Sequence, residues 1–289
     1  MTLILARSAG FCYGVRRAVE MAEETARQGR PCVMLGPIIH NTDVIRRLEE
    51  QGLRTVERPE EVPAGCTVLI RSHGEGRAVH QLLADRGAEI LDATCPNVTH
   101  IHKVVQQAEA QGRRPVIVGT PDHPEVLAIA GWCRSPAVVS GAEELERWLQ
   151  EDPERRDFPL TFVSQTTSTR KIWDDCVKKA KKECTNAEFF DTICGATSKR
   201  QEEARQLAQT CGMMVVIGDR KSSNTRRLAE ICREACPDVR LIERAADLDL
   251  SHMPRAERVG ITAGASTPAW IIKEVYDKMS DEIMEIEKS

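Results

Sequence analysis

Along most of the chain, short apolar runs alternate with longer stretches whose apolar residues recur at three- and four-residue spacing. Ile4-Leu5-Ala6, Ile90-Leu91, Val116-Ile117-Val118, Phe189-Phe190 and Met213-Met214-Val215-Val216-Ile217 have the length of strands. Val15-Arg16-Arg17-Ala18-Val19, Lys103-Val104-Val105 and Glu203-Ala204-Arg205-Gln206-Leu207 carry the helical period. Strands alternating with helices predict parallel sheets joined by right-handed crossovers. Such sheets bind ligands in the loops that leave their strand C-termini.

The pattern occurs three times. Cys12, Cys95 and Cys194 each follow an apolar run and precede a stretch of helical period. The glycines Gly36, Gly119 and Gly218, each ending the next apolar run, lie 24 residues after these cysteines. Each glycine opens a polar loop that leads into another helix: Gly36-Pro37-Ile38-Ile39-His40-Asn41, Gly119-Thr120-Pro121-Asp122-His123-Pro124-Glu125 and Gly218-Asp219-Arg220-Lys221-Ser222-Ser223-Asn224. A third landmark sits between a strand and a helix in each copy, at Ser72-His73-Gly74, Gln165-Thr166-Thr167 and Thr262-Ala263-Gly264-Ala265-Ser266. Three copies predict three small parallel-sheet α/β units around a pseudo-threefold axis, a trefoil-like arrangement. Units converging on that axis bring the three cysteines to its centre, ringed by strand-end loops.

Composition narrows the class. With 289 residues the chain has room for two or three domains at ~100–200 residues each. Its 40 Lys+Arg are interspersed with 44 Asp+Glu for a net charge of -4, which leaves no polybasic surface for nucleic acid. No apolar run approaches the ~20 residues of a membrane span, and Met1 leads into a strand-like run rather than a basic-then-apolar leader. The expected compartment is the cytoplasm. There, an odd count of 11 cysteines points to metal or redox chemistry rather than a disulfide framework. Cys32, Cys66, Cys133, Cys176, Cys184, Cys211, Cys232 and Cys236 share no setting and read as small buried hydrophobes. Cys232-x-x-x-Cys236 has no second ligand pair nearby to make a metal site.

Three thiolates at helix starts form a soft, electron-rich site. Zinc with an open fourth position fits it. So does a [4Fe-4S] cluster, which takes four cysteines as a rule, so that three leave one iron open to a substrate oxygen. The fingerprint G-x-G-x-x-G is missing after any strand, so reducing equivalents are expected from a partner protein. The loops add neutral or switchable donors: His40, Asn41, His73, His123, Ser222, Ser223, Asn224, Thr262 and Ser266. Donors at helix starts suit a diphosphate, although Ser, Thr and Asn there also serve as ordinary caps. Glu125 is a carboxylate beside a set of polar loop donors, suited to give a proton once burial raises its pKa, with Thr166 placed to relay it. His80, His100, His102 and His252 fall on helical stretches or in a linker and read as having no role.

The runs Gly10-Phe11-Cys12-Tyr13-Gly14-Val15, Ile39-His40-Asn41, Ser72-His73-Gly74, Asp92-Ala93-Thr94-Cys95-Pro96, His123-Pro124-Glu125-Val126, Gln165-Thr166-Thr167, Thr192-Ile193-Cys194-Gly195-Ala196-Thr197, Ser222-Ser223-Asn224 and Thr262 to Pro268 occur in order from Cys12 to Pro268. Together they closely resemble the 4-hydroxy-3-methylbut-2-enyl diphosphate reductase family, also called LytB or IspH. The resemblance implies reductive dehydroxylation of an allylic diphosphate to isopentenyl and dimethylallyl diphosphate, the last step of the non-mevalonate isoprenoid route. It implies one [4Fe-4S] cluster per chain on Cys12, Cys95 and Cys194, and a ferredoxin- or flavodoxin-type electron donor. It also implies a diphosphate held by His40, His73, His123, Ser222, Ser223, Asn224 and Ser266, with Thr166 near the substrate hydroxyl and Glu125 as proton source. The units it implies are 13–95, 96–193, and 194–280 completed by the strand in 1–12, with 281–289 as a terminal helix or tail. Thr120 stands where many relatives carry a second histidine. The thiolates alone also fit an iron-sulfur sensor of a diphosphate metabolite or a zinc-dependent hydrolase.

Overall fold

The structure is a computed structural model and describes residues 1–249 and 257–286. His252 lies outside the described residues. The first repeat runs β1 (Thr2–Leu5), α1 (Tyr13–Arg27), β2 (Cys32–Leu35), α2 (Thr42–Glu50), β3 (Arg54–Val56), β4 (Thr67–Ile70), α3 (Arg77–Asp85) and β5 (Glu89–Asp92). The second runs α4 (Pro96–Ala110), β6 (Arg114–Val118), α5 (Pro124–Ala130), β7 (Ala137–Val139), α6 (Ala142–Glu151), β8 (Leu160–Ser164), α7 (Arg170–Glu183) and β9 (Ala187–Phe190). The third runs α8 (Gly195–Thr210), β10 (Met213–Ile217), α9 (Ser223–Arg233), β11 (Val239–Ile242), β12 (Arg258–Ala263) and α10 (Ala269–Ile286). The expected break after residue 280 falls inside α10.

These strands form three four-stranded sheets, β3-β2-β4-β5, β7-β6-β8-β9 and β11-β10-β12-β1, and every pairing is parallel. The three share one order, counted from the short strand at one edge. At the opposite edge stands the strand that runs into a cysteine, and β1 supplies it for the sheet that otherwise comes from the C-terminal third. These are the three parallel-sheet α/β units that the repeated spacing predicts. By contact the chain divides into two compact units. One holds Met1–Arg16, His40–Val44 and Gly195–Ser289; the other holds Arg17–Ile39 and Ile45–Cys194 and so contains two of the sheets.

The central strands are buried on both faces, which is why β2 and β10 read as continuous apolar runs, while β8 also buries Thr161 and Ser164. In the unit with two sheets, Val33, Leu35, Val68, Ile70 and Leu83 form the core on one face of the first. Val116, Val118, Phe162, Trp173 and Cys176 do so for the second. In the other unit Met213, Val215, Ile217, Ile261, Ile271 and Val275 pack α10 on one face of the sheet, and Met214, Val216, Leu228 and Cys232 pack α9 on the other. The equally spaced glycines mark the central strand ends because the loops there leave no room for a side chain. A Cβ on Gly119 would stand 2.9 Å from Gln165 Cβ, and one on Gly218 would stand 2.6 Å from Thr267 Oγ1. Gly36 and Gly218 also take positive φ, at 66° and 145°, which L-residues adopt at a cost. Among the described residues no helix is long and apolar enough to cross a membrane.

Candidate functional site

Cys12, Cys95 and Cys194 each immediately precede a helix, α1, α4 and α8. The carbonyls of Cys12 and Cys95 accept the first helical bonds, from Arg16 N and Thr99 N at 3.0 Å each. None of the three is in a disulfide, and all are partly exposed. Burial pushes the thiols of Cys32, Cys133, Cys176 and Cys232 up to about 12, so they stay neutral and are poor ligands. Burial also raises those of Cys66, Cys184 and Cys236. The cysteines that share the 24-residue offset are therefore also separated from most others by setting.

Each post-cysteine helix braces the turn of the next cysteine. Arg17 of α1 donates to Thr94 O at 3.2 Å and Asp92 O at 3.3 Å, just before Cys95. Asn97 of α4 points its Nδ2 at Cys194 Sγ, 3.1 Å away. Arg200 of α8, 3% exposed, donates to Ser8 O and to Gly10 O at 2.7 Å, two residues before Cys12. Glu203 accepts from Arg7 N and Ser8 N on the same loop. None of these four residues was picked out by motif reading. Arg200 carries a signal all the same: it lies on the buried stripe of α8 with Ala204 and Ala208, where an unpaired charge has no place.

In the unit that holds both Cys95 and Cys194, the strand-end loops bring together His73, His123, Glu125 and Thr166. Cys95 N donates to Ser72 O at 2.9 Å, and Cys194 N to Thr166 O at 3.1 Å. The rings of His73 and His123 meet edge to face, 5.5 Å between centroids. His123 caps α5 by accepting from Glu125 N on Nδ1 at 3.1 Å, which leaves its proton on Nε2. Glu125 is 2% exposed. One carboxylate oxygen accepts from Thr166 N at 2.6 Å and the other pairs with Thr166 Oγ1 at 2.7 Å. Burial pushes its pKa up, against the opposing pull of those two bonds. The result is a carboxyl group with a raised pKa in contact with a hydroxyl, on the loop whose Thr166 carbonyl accepts from Cys194 N.

The other unit holds His40, Ser222, Ser223, Asn224 and Ser266. Asn41 caps α2 through Val44 N at 3.0 Å, and Ser222 caps α9 through Thr225 N at 3.4 Å. Capping uses an oxygen lone pair, so the Ser222 hydroxyl proton stays available. Asn224 is 4% exposed, yet neither its amide oxygen nor its nitrogen has a hydrogen-bond partner in the protein. The hydroxyls of Thr225, Thr262 and Ser266 are buried and unpartnered as well. Buried polar groups left this way cost about 1–3 kcal/mol each, so a group of them at strand ends and a helix start signals a polar ligand. Thr225 is an addition to the predicted set. Cys12 N donates to Ala265 O at 3.2 Å, which joins the cysteine turn to the loop of Ser266. Arg220 faces elsewhere, since its guanidinium donates to Leu241 O at 3.0 Å.

The family model described as LytB protein matches residues 3–280. The chain is 41% identical over 281 residues to a 4-hydroxy-3-methylbut-2-enyl diphosphate reductase of Geobacter sp. (strain M21), with 97% of each chain covered. It is similar to the solved structure of (E)-4-hydroxy-3-methyl-but-2-enyl diphosphate reductase, described as the terminal enzyme of the non-mevalonate pathway, with 37% identity and a TM-score of 0.71 over 97% of this chain and 100% of that one. The E-1-hydroxy-2-methyl-but-2-enyl-4-diphosphate reductase from Plasmodium falciparum matches with a TM-score of 0.88 and 26% identity, over 95% of this chain and 86% of that one.

Proposed function

The chain belongs to the LytB family, and from that premise we propose that it reduces 4-hydroxy-3-methylbut-2-enyl diphosphate to isopentenyl and dimethylallyl diphosphate. The observation that carries the reading is the buried Glu125, its pKa raised by burial, paired with Thr166 beside the Cys194 turn. Loss of a hydroxyl as water needs one proton and two electrons, and closing the new C–H bond needs a second proton. Cys12, Cys95 and Cys194 are the proposed ligands of a [4Fe-4S] cluster. Such a cluster supplies electrons one at a time and, with three protein ligands, a Lewis-acidic iron. The thiols fit it by their exposure, their places before helices and the amide donor that Asn97 aims at Cys194.

Glu125 holds the first proton. In its neutral state the carboxyl O–H donates to Thr166 Oγ1, and the Thr166 hydroxyl passes its own proton to the departing oxygen, so the charge never crosses open solvent. Thr166 N keeps the carboxylate in place after the transfer. The diphosphate is held by neutral donors, namely His40, His73, His123 through Nε2–H, Ser222, Ser223, Asn224 and Ser266. Asn224 and Ser266 meet the requirement most directly, because each has buried polar atoms that lack a partner until a ligand arrives. The external donor is proposed to be a ferredoxin- or flavodoxin-type protein of the cytoplasm. Anaerobic purification with iron and sulfide analysis, followed by turnover with excess chemical reductant, tests the whole reading. The expected result is bound iron and sulfide and two isomeric products. Zinc in place of iron, or substrate consumption without reductant, overturns it.

A further inference from the structure

The loop that carries His73 is gripped by an aromatic cluster outside the proposed site. Trp132, just past the end of α5, donates its indole Nε1–H to Glu75 O at 3.0 Å. Its ring stacks on His102 of α4, 5.4 Å between centroids and 27° between planes. The Arg77 guanidinium lies 5.5 Å from the ring centroid, and His80 is a further neighbour at 5.6 Å. His102 is 5% exposed and abuts the loop itself, for a Cβ on Gly74 would stand 2.9 Å from its Cε1. The backbones also cross closely. Arg77 N donates to Gly131 O at 3.2 Å, and a Cβ on Gly131 would stand 2.7 Å from Gly76 Cα.

The His73 loop therefore has two anchors. On its N-terminal side Ser72 is tied to Ile38 O and to Cys95 N. On its C-terminal side residues 74–77 are held by Trp132, His102 and Gly131. Gly74, with φ 79°, is the joint between them and directly follows His73. The second anchor belongs to the chain just beyond α5, the helix whose start carries His123 and Glu125. A shift there moves His73 relative to both.

We propose that Trp132, backed by His102, is a positioning residue that sets His73 against His123 for capture of the substrate diphosphate. The proposal rests on His73 as a diphosphate contact. Trp132→Phe keeps an aromatic ring on His102 and removes the Nε1–H donor. Gly131→Ala adds only a methyl at a position whose φ of -65° suits alanine. Both variants, His73→Ala and the Trp132→Phe/His73→Ala double variant are assayed anaerobically as loaded enzyme. The readouts are substrate KM, kcat with excess chemical reductant, inorganic diphosphate affinity by calorimetry, and iron and sulfide content. Trp132→Phe is expected to weaken KM and diphosphate affinity about fivefold to tenfold, the scale of one net hydrogen bond. Iron content and kcat are expected to hold. Gly131→Ala is expected to act in the same direction. In the His73→Ala background the same Trp132 change is expected to add less than about twofold, because it acts through the missing ring. Equal losses in both backgrounds, or no loss from Trp132→Phe where His73→Ala weakens binding, overturn the proposal. If His73→Ala leaves diphosphate affinity unchanged, His73 is not a contact, and the premise fails with the proposal.

Discussion

Replacing Glu125 with Gln isolates the proton from everything else the side chain does. In the native site one carboxyl oxygen accepts from Thr166 N at 2.6 Å and the other pairs with Thr166 Oγ1 at 2.7 Å. A glutamine amide reproduces both bonds: its oxygen accepts from the backbone N–H, and its nitrogen donates to the hydroxyl, as the protonated acid does. Fold, cluster loading and substrate affinity are therefore expected to hold, while a lost general acid costs about 100-fold or more in kcat, or roughly 2.7 kcal/mol of barrier. The assay is anaerobic turnover with a chemical reductant in excess, with the spectrum recorded alongside. Substrate is expected to bind and alter the spectrum without product. The same variant has a stability signature. Burial raises the Glu125 pKa, so the folded protein keeps a proton that the unfolded chain has released. Stability from this group is then full below the ordinary glutamate range and falls as pH rises from there through the elevated folded value. Gln has no such slope, so the Tm difference, variant minus parent, should grow in the variant's favour as pH rises through that window. Turnover at the parental rate refutes the assignment of the proton, and a pH-independent Tm difference refutes the raised pKa.

Other outcomes follow from the same geometry. Cys12→Ser, Cys95→Ser and Cys194→Ser should each lose iron and sulfide on anaerobic analysis, whereas Cys232→Ser should keep both, because its buried thiol is neutral. Ser266→Ala removes a buried hydroxyl that has no partner, so the ligand-free protein should be as stable as the parent or more so, while KM rises about fivefold to tenfold; a loss of apo stability would show that the hydroxyl has a structural partner. Arg220→Ala should leave KM within about twofold, since surface contacts of this kind contribute little and the guanidinium is turned to Leu241 O. Arg200→Met should lower cluster content in a folded protein, because it frees the carbonyls of Ser8 and Gly10 that hold the Cys12 turn.

The sheets were legible because their information is periodic and local. Buried central strands such as Met213–Ile217 must be apolar throughout, and glycine is forced wherever a strand end meets the neighbouring loop, as at Gly119 against Gln165. Those two demands recur in each copy of the fold and so leave an equal offset in the sequence. The short edge strands β3, β7 and β11 left no such mark: three or four residues at a sheet edge are too few to set up a pattern. The site divides along the same line. Cysteines and caps sit at fixed distances from strand ends, so motif and spacing find them. The residues that brace the cysteine turns act across long sequence separations, as Arg200 does on Ser8, and no local rule connects the two. His102 shows the limit from the other side. On the sequence it is one more histidine on a helix, yet burial pushes its pKa down to about 4, and as a neutral ring it can lie flat on Trp132 under the Gly74 turn. A histidine that stays uncharged at every physiological pH does the work of an aromatic, and the pattern of charges along the chain conceals it.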